Sequence, residues 1–135
     1  MYCLDTNVVV RLLNGRSPAL RNRFFAERSS GARLALPSIA LFELRFGVAS
    51  SAHPRRNSAA LDRLIGADID ILPFLAEDAA EAGAIRAFLL AKGAPIGPYD
   101  ILIAAQARRR GGVLVTANVK EFRRVPELQL EDWEA

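Results

Sequence analysis

Short apolar runs alternate with longer helical segments along the whole chain, and this alternation constrains the fold more than any other feature. The connections between successive runs are too long for hairpins, and crossovers of that length join parallel strands. We therefore predict an α/β fold, with helices on both faces of a central parallel sheet of four or five strands. The predicted strands are residues 2–4, 34–36, 69–72 and 113–115, and residues 128–130 are a candidate fifth strand.

Capping and turn residues delimit the helices between these strands. A serine followed by proline opens a helix, and glycine commonly ends one. Ser38 is predicted to cap a helix, and Pro37 to end the strand before it. The predicted helices are residues 8–13, 18–28, 39–49, 54–65, 77–92 and 100–110.

Length and composition indicate one domain spanning residues 1–135, because 135 residues with 51% hydrophobic and 24% charged side chains can form a substantial core. No apolar stretch is long enough to cross a membrane, and the first residues do not resemble a secretory leader. We expect a cytoplasmic protein that does not associate with membranes. Cys3 is the single cysteine, which excludes an internal disulfide and a cysteine-based zinc site.

The basic residues are mostly arginines, and they occur in clusters at residues 55–56, 108–110 and 123–124. The formal net charge is +3. Arginine clusters bind phosphates well, so they are compatible with a nucleic-acid partner. An ordinary solvated basic surface explains the same composition, and composition alone favours that explanation.

Three carboxylates are the candidate functional groups. Asp5 directly follows the first predicted strand and Asp100 begins a predicted helix, so each is either a site residue or a helix cap. Glu43 has apolar neighbours three and four residues away on both sides, which predicts that it loses water when its helix packs. A buried carboxylate needs a cation, and either an arginine or a metal ion would supply it.

If these carboxylates converge, their mutual repulsion requires a cation, and hard oxygen ligands favour Mg²⁺ or Mn²⁺ over Zn²⁺. His53 lies in a polar turn and is expected to face solvent, so histidine-based nucleophilic catalysis is poorly supported. The sequence contains neither a Walker loop nor a GxGxxG motif. Carboxylates are therefore the only candidate catalytic side chains that the sequence indicates.

Four segments of the chain resemble the motifs of PIN-domain ribonucleases, and they occur in the order typical of that family. The resemblance spans nearly the whole chain and is nearest to the VapC-type toxins of bacterial toxin–antitoxin pairs. The four segments are residues 4–10 (LDTNVVV), 38–47 (SIALFELRFG), 98–105 (PYDILIAA) and 114–122 (LVTANVKEF).

The resemblance implies a PIN-like three-layer α/β/α fold and an acidic metal site. Asp5 and Asp100 would be the main Mg²⁺ ligands, with Mn²⁺ as a substitute ion. Glu43 would complete the pocket through the metal or a bound water. Thr6 and Asn7, which follow the first aspartate, are expected to support the site.

The fourth acidic position departs from the family pattern. Many relatives have an aspartate where this chain has Asn118, and others use the acid before the phenylalanine, which is Glu121 here. We predict Glu121 as the fourth acid, with Asn118 and Thr116 organising the loop. The number of metal ions stays open for the same reason.

The activity implied by the resemblance is endonucleolytic hydrolysis of RNA by a toxin. The implied partners are an RNA substrate, a VapB-like antitoxin and a second copy of the chain in a homodimer. The pairs Phe24/Phe25 and Phe42/Phe46 either form exposed contact surface or belong to the core.

Two other functions remain open. A catalytically silent PIN-fold binding protein would be consistent with Asn118 in place of an acid. A receiver-like phosphoacceptor module would need paired acids after the first strand and an aspartate at the end of the third. The chain instead has Asp5 followed by threonine, and residues 71–74 (ILPF) contain no acid.

Overall fold

The strands of the computed structural model, which describes residues 1–66 and 68–135, form one parallel sheet. The sheet order is β3-β2-β1-β4-β5. The predicted α/β fold is confirmed, and the candidate fifth strand is present one residue later than expected. The strands are β1 (Tyr2–Leu4), β2 (Leu34–Pro37), β3 (Ile69–Leu72), β4 (Val113–Val115) and β5 (Gln129–Glu131).

The helices connect successive strands and cover the sheet. All four residues of β2 are buried, and because neighbouring residues of a strand point to opposite faces, both faces of the sheet are covered there. The helices are α1 (Thr6–Asn14), α2 (Pro18–Ser29), α3 (Ser38–Ala49), α4 (Pro54–Ile65), α5 (Ala76–Ala91), α6 (Pro98–Arg109) and α7 (Val119–Phe122). Within the described ranges, no helix has the length and apolar character needed to cross a membrane.

The strand order places a crevice between β1 and β4. The chain builds outward from β1 to β2 and β3, then crosses back to add β4 on the other side of β1. Ligands of open parallel sheets bind where the strand order reverses, outside the carboxyl ends of the strands. Leu4 pairs with Val115 at that edge, so Asp5 and Thr116 leave the sheet side by side.

Two predicted caps differ in the structure. Pro37 is the last residue of β2, opposite Leu72, and Ser38 is the first residue of α3 and not its cap. The sequence prediction failed here because a proline usually interrupts a strand, whereas the final strand position tolerates this one. Asp100 is not a helix cap either, because α6 begins at Pro98 and Asp100 lies in its first turn.

The arginine cluster at the end of α6 is committed to internal ion pairs. Arg109 and Arg110 bind the fully buried Asp78 of α5, and Arg108 binds Glu81. Burial alone would raise the pKa of Asp78, but the two arginines outweigh it and hold the pKa at about 2. The structure therefore assigns this cluster to the packing of α5 against α6, and not to phosphate contacts.

Candidate active site

Asp5 lies at the carboxyl end of β1, and both of its carboxylate oxygens accept hydrogen bonds. It is 4% exposed. Its Oδ1 accepts a hydrogen bond from the Thr6 backbone N–H (2.9 Å), so Asp5 does cap α1. Its Oδ2 accepts from the Thr116 hydroxyl (2.9 Å), which is also buried. Asp5 is thus both a helix cap and a rigidly held acid at the crevice.

Glu43 joins this cluster through Thr6. The Thr6 hydroxyl donates to Glu43 Oε1 at 2.7 Å, so one residue contacts both carboxylates. The expected burial of Glu43 is only partial, because Phe42 and Phe46 beside it on α3 are 50% and 67% exposed. The side of α3 that carries Phe42 and Phe46 is therefore exposed, whereas Ala40 and Leu44 pack in the core. The arginine partner considered for Glu43 is absent, since none of the ion pairs among the described residues includes it.

Asp100 and Glu121 meet on the other side of the crevice. The charge of Glu121 contributes to the raised pKa of Asp100, and Glu121 Oε1 accepts a hydrogen bond from the Gly97 backbone N–H (2.9 Å). A Cβ at position 97 would lie 3.1 Å from Asp100 Oδ2, so only glycine leaves the carboxyl its present room. Gly97 lies just outside the sequence motif at residues 98–105. Its close approach to the acids becomes visible in the fold alone.

The loop after β4 holds the two halves of the site together. The Thr116 hydroxyl donates to Asp5 and accepts from the Asn118 backbone N–H (2.9 Å). The Asn118 side-chain amide donates in turn to Glu121. The predicted acids and Thr6, Thr116 and Asn118 therefore gather at one crevice, whereas the Asn7 side chain is exposed on α1.

The carboxylates destabilise one another's charged forms. Burial raises the pKa of Asp100 to about 7, and the charges of Glu121, Asp5 and Glu43 contribute to the same shift. Burial also raises the pKa of Asp5, although the hydrogen bonds from Thr116 and Thr6 oppose this change. A site whose burial and neighbouring charges disfavour ionised carboxylates in this way is suited to binding a cation.

The donor set fits a hard divalent cation. All four acidic side chains offer oxygen, which Mg²⁺ and Mn²⁺ prefer, and in the part of the chain that the structure describes no cationic side chain pairs with them. Among residues 1–66 and 68–135, no three of the acidic, histidine or cysteine side chains already stand as a preformed ligand set. Asp5 and Asp100 are the acids with raised pKa values, so they gain most from a nearby positive charge.

An open cavity of about 460 Å³ lies against Glu43. Thr6 and Glu43 form its polar wall, and its apolar wall consists of Phe42, Phe46 and Tyr99. A larger apolar cavity of about 590 Å³ lies between α5 and the start of α6, but no carboxylate lines it. A third cavity, of about 400 Å³ between α1, α3 and α4, is also lined by Thr6 and Glu43, so Glu43 is the acid that borders open space on two sides.

The fold agrees with comparisons to known proteins. The family model described as "PIN domain" matches residues 2–128. The chain therefore belongs to the PIN domain family.

Curated relatives narrow this assignment. The tRNA(fMet)-specific endonuclease VapC of Salmonella typhimurium is 39% identical over 132 residues, which is 98% of this chain and 97% of that protein. Ribonuclease VapC2 of Haemophilus influenzae is 36% identical over the same share of both chains.

Solved structures agree with these relatives. VapBC2 from Rickettsia felis, bound to a DNA fragment from its promoter, superposes with a TM-score of 0.90 at 35% identity, covering 96% of each chain. DNA-bound VapBC from Salmonella typhimurium superposes with a TM-score of 0.89 at 39% identity, covering 98% of this chain and 97% of the other. Within the PIN domain family, the chain is a VapC-type ribonuclease toxin.

Proposed function

We propose that the chain is a Mg²⁺-dependent endoribonuclease, with Mn²⁺ as a substitute ion, and that Asp5 and Asp100 are its main metal ligands. Glu43 and Glu121 complete the acidic site. The observation that carries the proposal is the gathering of four carboxylates at the point where the strand order reverses, with no cationic partner for them among the residues whose structure is described.

Each side chain at the crevice has a distinct part in this proposal. A bound divalent ion would activate a water and neutralise charge on the scissile phosphate. Thr116 and Thr6 fix the two oxygens of Asp5 so that the carboxylate keeps one orientation. Glu121 accepts a hydrogen bond from the Gly97 backbone beside Asp100, and Asn118 in turn orients Glu121.

The proposed substrate is structured RNA, and tRNA is the first candidate. Relatives that match nearly the whole chain bear the name tRNA(fMet)-specific endonuclease. Because the proposed chemistry uses a water and not the ribose 2′-hydroxyl, the products would carry 5′-phosphate and 3′-hydroxyl ends. The arginines at residues 108–110 are engaged in ion pairs within the chain. We therefore propose that exposed arginines, such as Arg55 and Arg56, contact the phosphates of the RNA.

The proposed protein partners are a VapB-like antitoxin and a second copy of the chain. The solved relatives are VapBC complexes. This chain exposes Phe42, Phe46, Tyr99 and Leu90 by 47–67%, and apolar exposure of this kind marks contact surfaces. Phe42 and Tyr99 pack edge to face with ring centroids 5.5 Å apart. Phe24, by contrast, is a fully buried core residue.

Cleavage of purified tRNA tests the proposal. Wild-type protein freed of any antitoxin should cut in Mg²⁺ or Mn²⁺, and Asp5→Ala or a chelator should abolish cutting. Asp70→Asn serves as a matched control, because it removes an exposed carboxylate on β3 that pairs only with Arg33. Products with 2′,3′-cyclic phosphate ends would contradict the mechanism.

The catalytically silent alternative makes the opposite prediction. A well-folded chain that binds RNA or a partner without cutting would support it, and Asn118→Asp would then be tested for restored cleavage. The position of Glu121 against Asp100 favours the active enzyme, because it supplies an acid that Asn118 does not.

A further inference from the structure

Gln106 of α6 is a fully buried polar side chain with no part in the function proposed above. Its Nε2 donates to the backbone oxygens of Leu72 (2.9 Å) and Pro73 (3.1 Å) and to the Ser38 hydroxyl (3.2 Å). Its Oε1 accepts from the Ile39 backbone N–H (3.4 Å). One amide therefore connects α6 with the end of β3 and with the start of α3.

The start of α3 depends on this connection. The first N–H groups of a helix have no partner within the helix, and a capping side chain usually supplies one. Pro37 stands at the cap position of α3 and has no side-chain hydrogen bond to offer. Gln106 supplies the acceptor from a different helix, so α6 caps α3.

The same two helices carry acids of the proposed site. Glu43 lies on α3 and Asp100 on α6. Ile39 precedes Glu43 by four residues and Gln106 follows Asp100 by six, so at 1.5 Å rise per residue the link lies within about 9 Å of each acid along its helix. A charged Glu43 and a charged Asp100 repel each other, and the Gln106 link opposes the separation of their helices.

We infer that Gln106 is a positioning residue that holds α3 against α6 and thereby sets the spacing of Glu43 and Asp100. This inference rests on the proposed metal-dependent function. The Gln106 side chain matches its surroundings, because its N–H groups donate to two backbone carbonyls and its oxygen accepts from a backbone N–H. A glutamate would direct negative charge at those carbonyls, and a methionine would fill the space without any of the bonds.

The test compares Gln106→Met with Leu20→Ala, which truncates a fully buried side chain on α2. Thermal unfolding establishes how far each variant is destabilised, and all other measurements are made well below both melting temperatures. Calorimetry measures Mn²⁺ binding, and tRNA cleavage gives kcat and KM. Hydrogen exchange measures protection of the Ile39 amide.

Gln106→Met should weaken Mn²⁺ binding by about 10–100-fold, as loss of a residue that supports metal ligands commonly does. Its kcat should fall while KM stays unchanged, and the Ile39 amide should exchange faster. Leu20→Ala should lower the melting temperature without these changes. Ser38→Ala removes one bond of the network and should move the same quantities less, which keeps the test valid if Gln106→Met does not fold.

Two results with the variants would overturn the inference. One is unchanged ion affinity and kcat in Gln106→Met, and the other is an equal loss in Leu20→Ala. Wild-type protein that binds Mn²⁺ but cuts no RNA would refute the proposed function alone, because ion affinity would still decide the role of Gln106. Wild-type protein that binds no Mn²⁺ would overturn both.

Discussion

Replacing Asp100 by asparagine should stabilise the metal-free protein while abolishing cleavage. The pKa of Asp100 rises from 3.8 to about 7 in the fold, through burial and the charges of Glu121, Asp5 and Glu43. A pKa difference of that size between folded and unfolded chain corresponds to about 4 kcal/mol at alkaline pH. Water reaches the half-buried carboxyl and screens these charges, so we expect about 1–2 kcal/mol.

The stabilisation should depend on pH with a definite sign. Because the pKa of Asp100 is higher in the folded chain, folding favours its protonated form. Wild-type stability should therefore fall as pH rises from about 4 to about 7, and Asp100→Asn should escape this loss. Below about pH 4 the aspartate is protonated in both states, and the advantage of the variant should disappear.

Thermal unfolding in chelator measures this effect. At pH 8 the Asp100→Asn variant should melt about 3–10 °C higher than wild type, given about 3–5 °C per kcal/mol for a chain of this size. Millimolar Mg²⁺ should raise the melting temperature of wild type and leave the variant nearly unchanged. Asp70→Asn is the control and should show no gain in chelator. A lower melting temperature for Asp100→Asn, or a gain that persists at pH 4, would refute the electrostatic reasoning.

Three further predictions concern other parts of the structure. Thr116→Val should destabilise the fold by about 1–3 kcal/mol, since buried Asp5 loses a hydrogen bond. The same change should reduce tRNA cleavage, and unaltered cleavage would show that the hydroxyl is dispensable. Asp78→Asn should destabilise the fold by about 3 kcal/mol in urea unfolding at pH 7. The loss should become smaller as pH falls toward 2, because Asp78 stabilises the fold only while its carboxylate is charged. Cleavage by the folded Asp78→Asn variant should match wild type. Phe46→Asp should yield monomers in size-exclusion chromatography, and a dimer that survives this change would place the interface elsewhere.

The secondary structure was largely predictable from local pattern. Strand and helix alternation, proline at helix starts and glycine at helix ends are all effects of neighbouring residues on the backbone. Gly15 illustrates this, because it ends α1 with a φ of 67° that other residues adopt at a cost. The short helix α7 was not predicted, since four residues are too few to show a periodic pattern.

The acids of the site were also predictable, but their connections were not. Asp5, Glu43, Asp100 and Glu121 stand in motifs that resemble those of a known family, so their identity could be read along the chain. The hydrogen bonds that unite them span 37 residues from Thr6 to Glu43 and 111 from Asp5 to Thr116. No local pattern encodes a partner at such a distance.

The role of the arginines, like the connections between the acids, depends on the tertiary structure. Composition was compatible with a nucleic-acid partner but favoured an ordinary solvated basic surface, whereas the fold commits Arg108, Arg109 and Arg110 to carboxylates of α5. Whether a charge is free or paired depends on which elements pack together, and composition carries no information about that.

The sequence by itself determined the order of strands and helices, the acidic residues and the family, because each depends on residue types at short spacing. The tertiary structure alone decided that Gln106 caps α3, that Gly97 gives Asp100 its room and that Asp5 shares Thr116 with the loop after β4. The physical reason is that a parallel sheet brings the ends of distant strands to one edge. There, burial and mutual repulsion act between groups that are far apart along the chain.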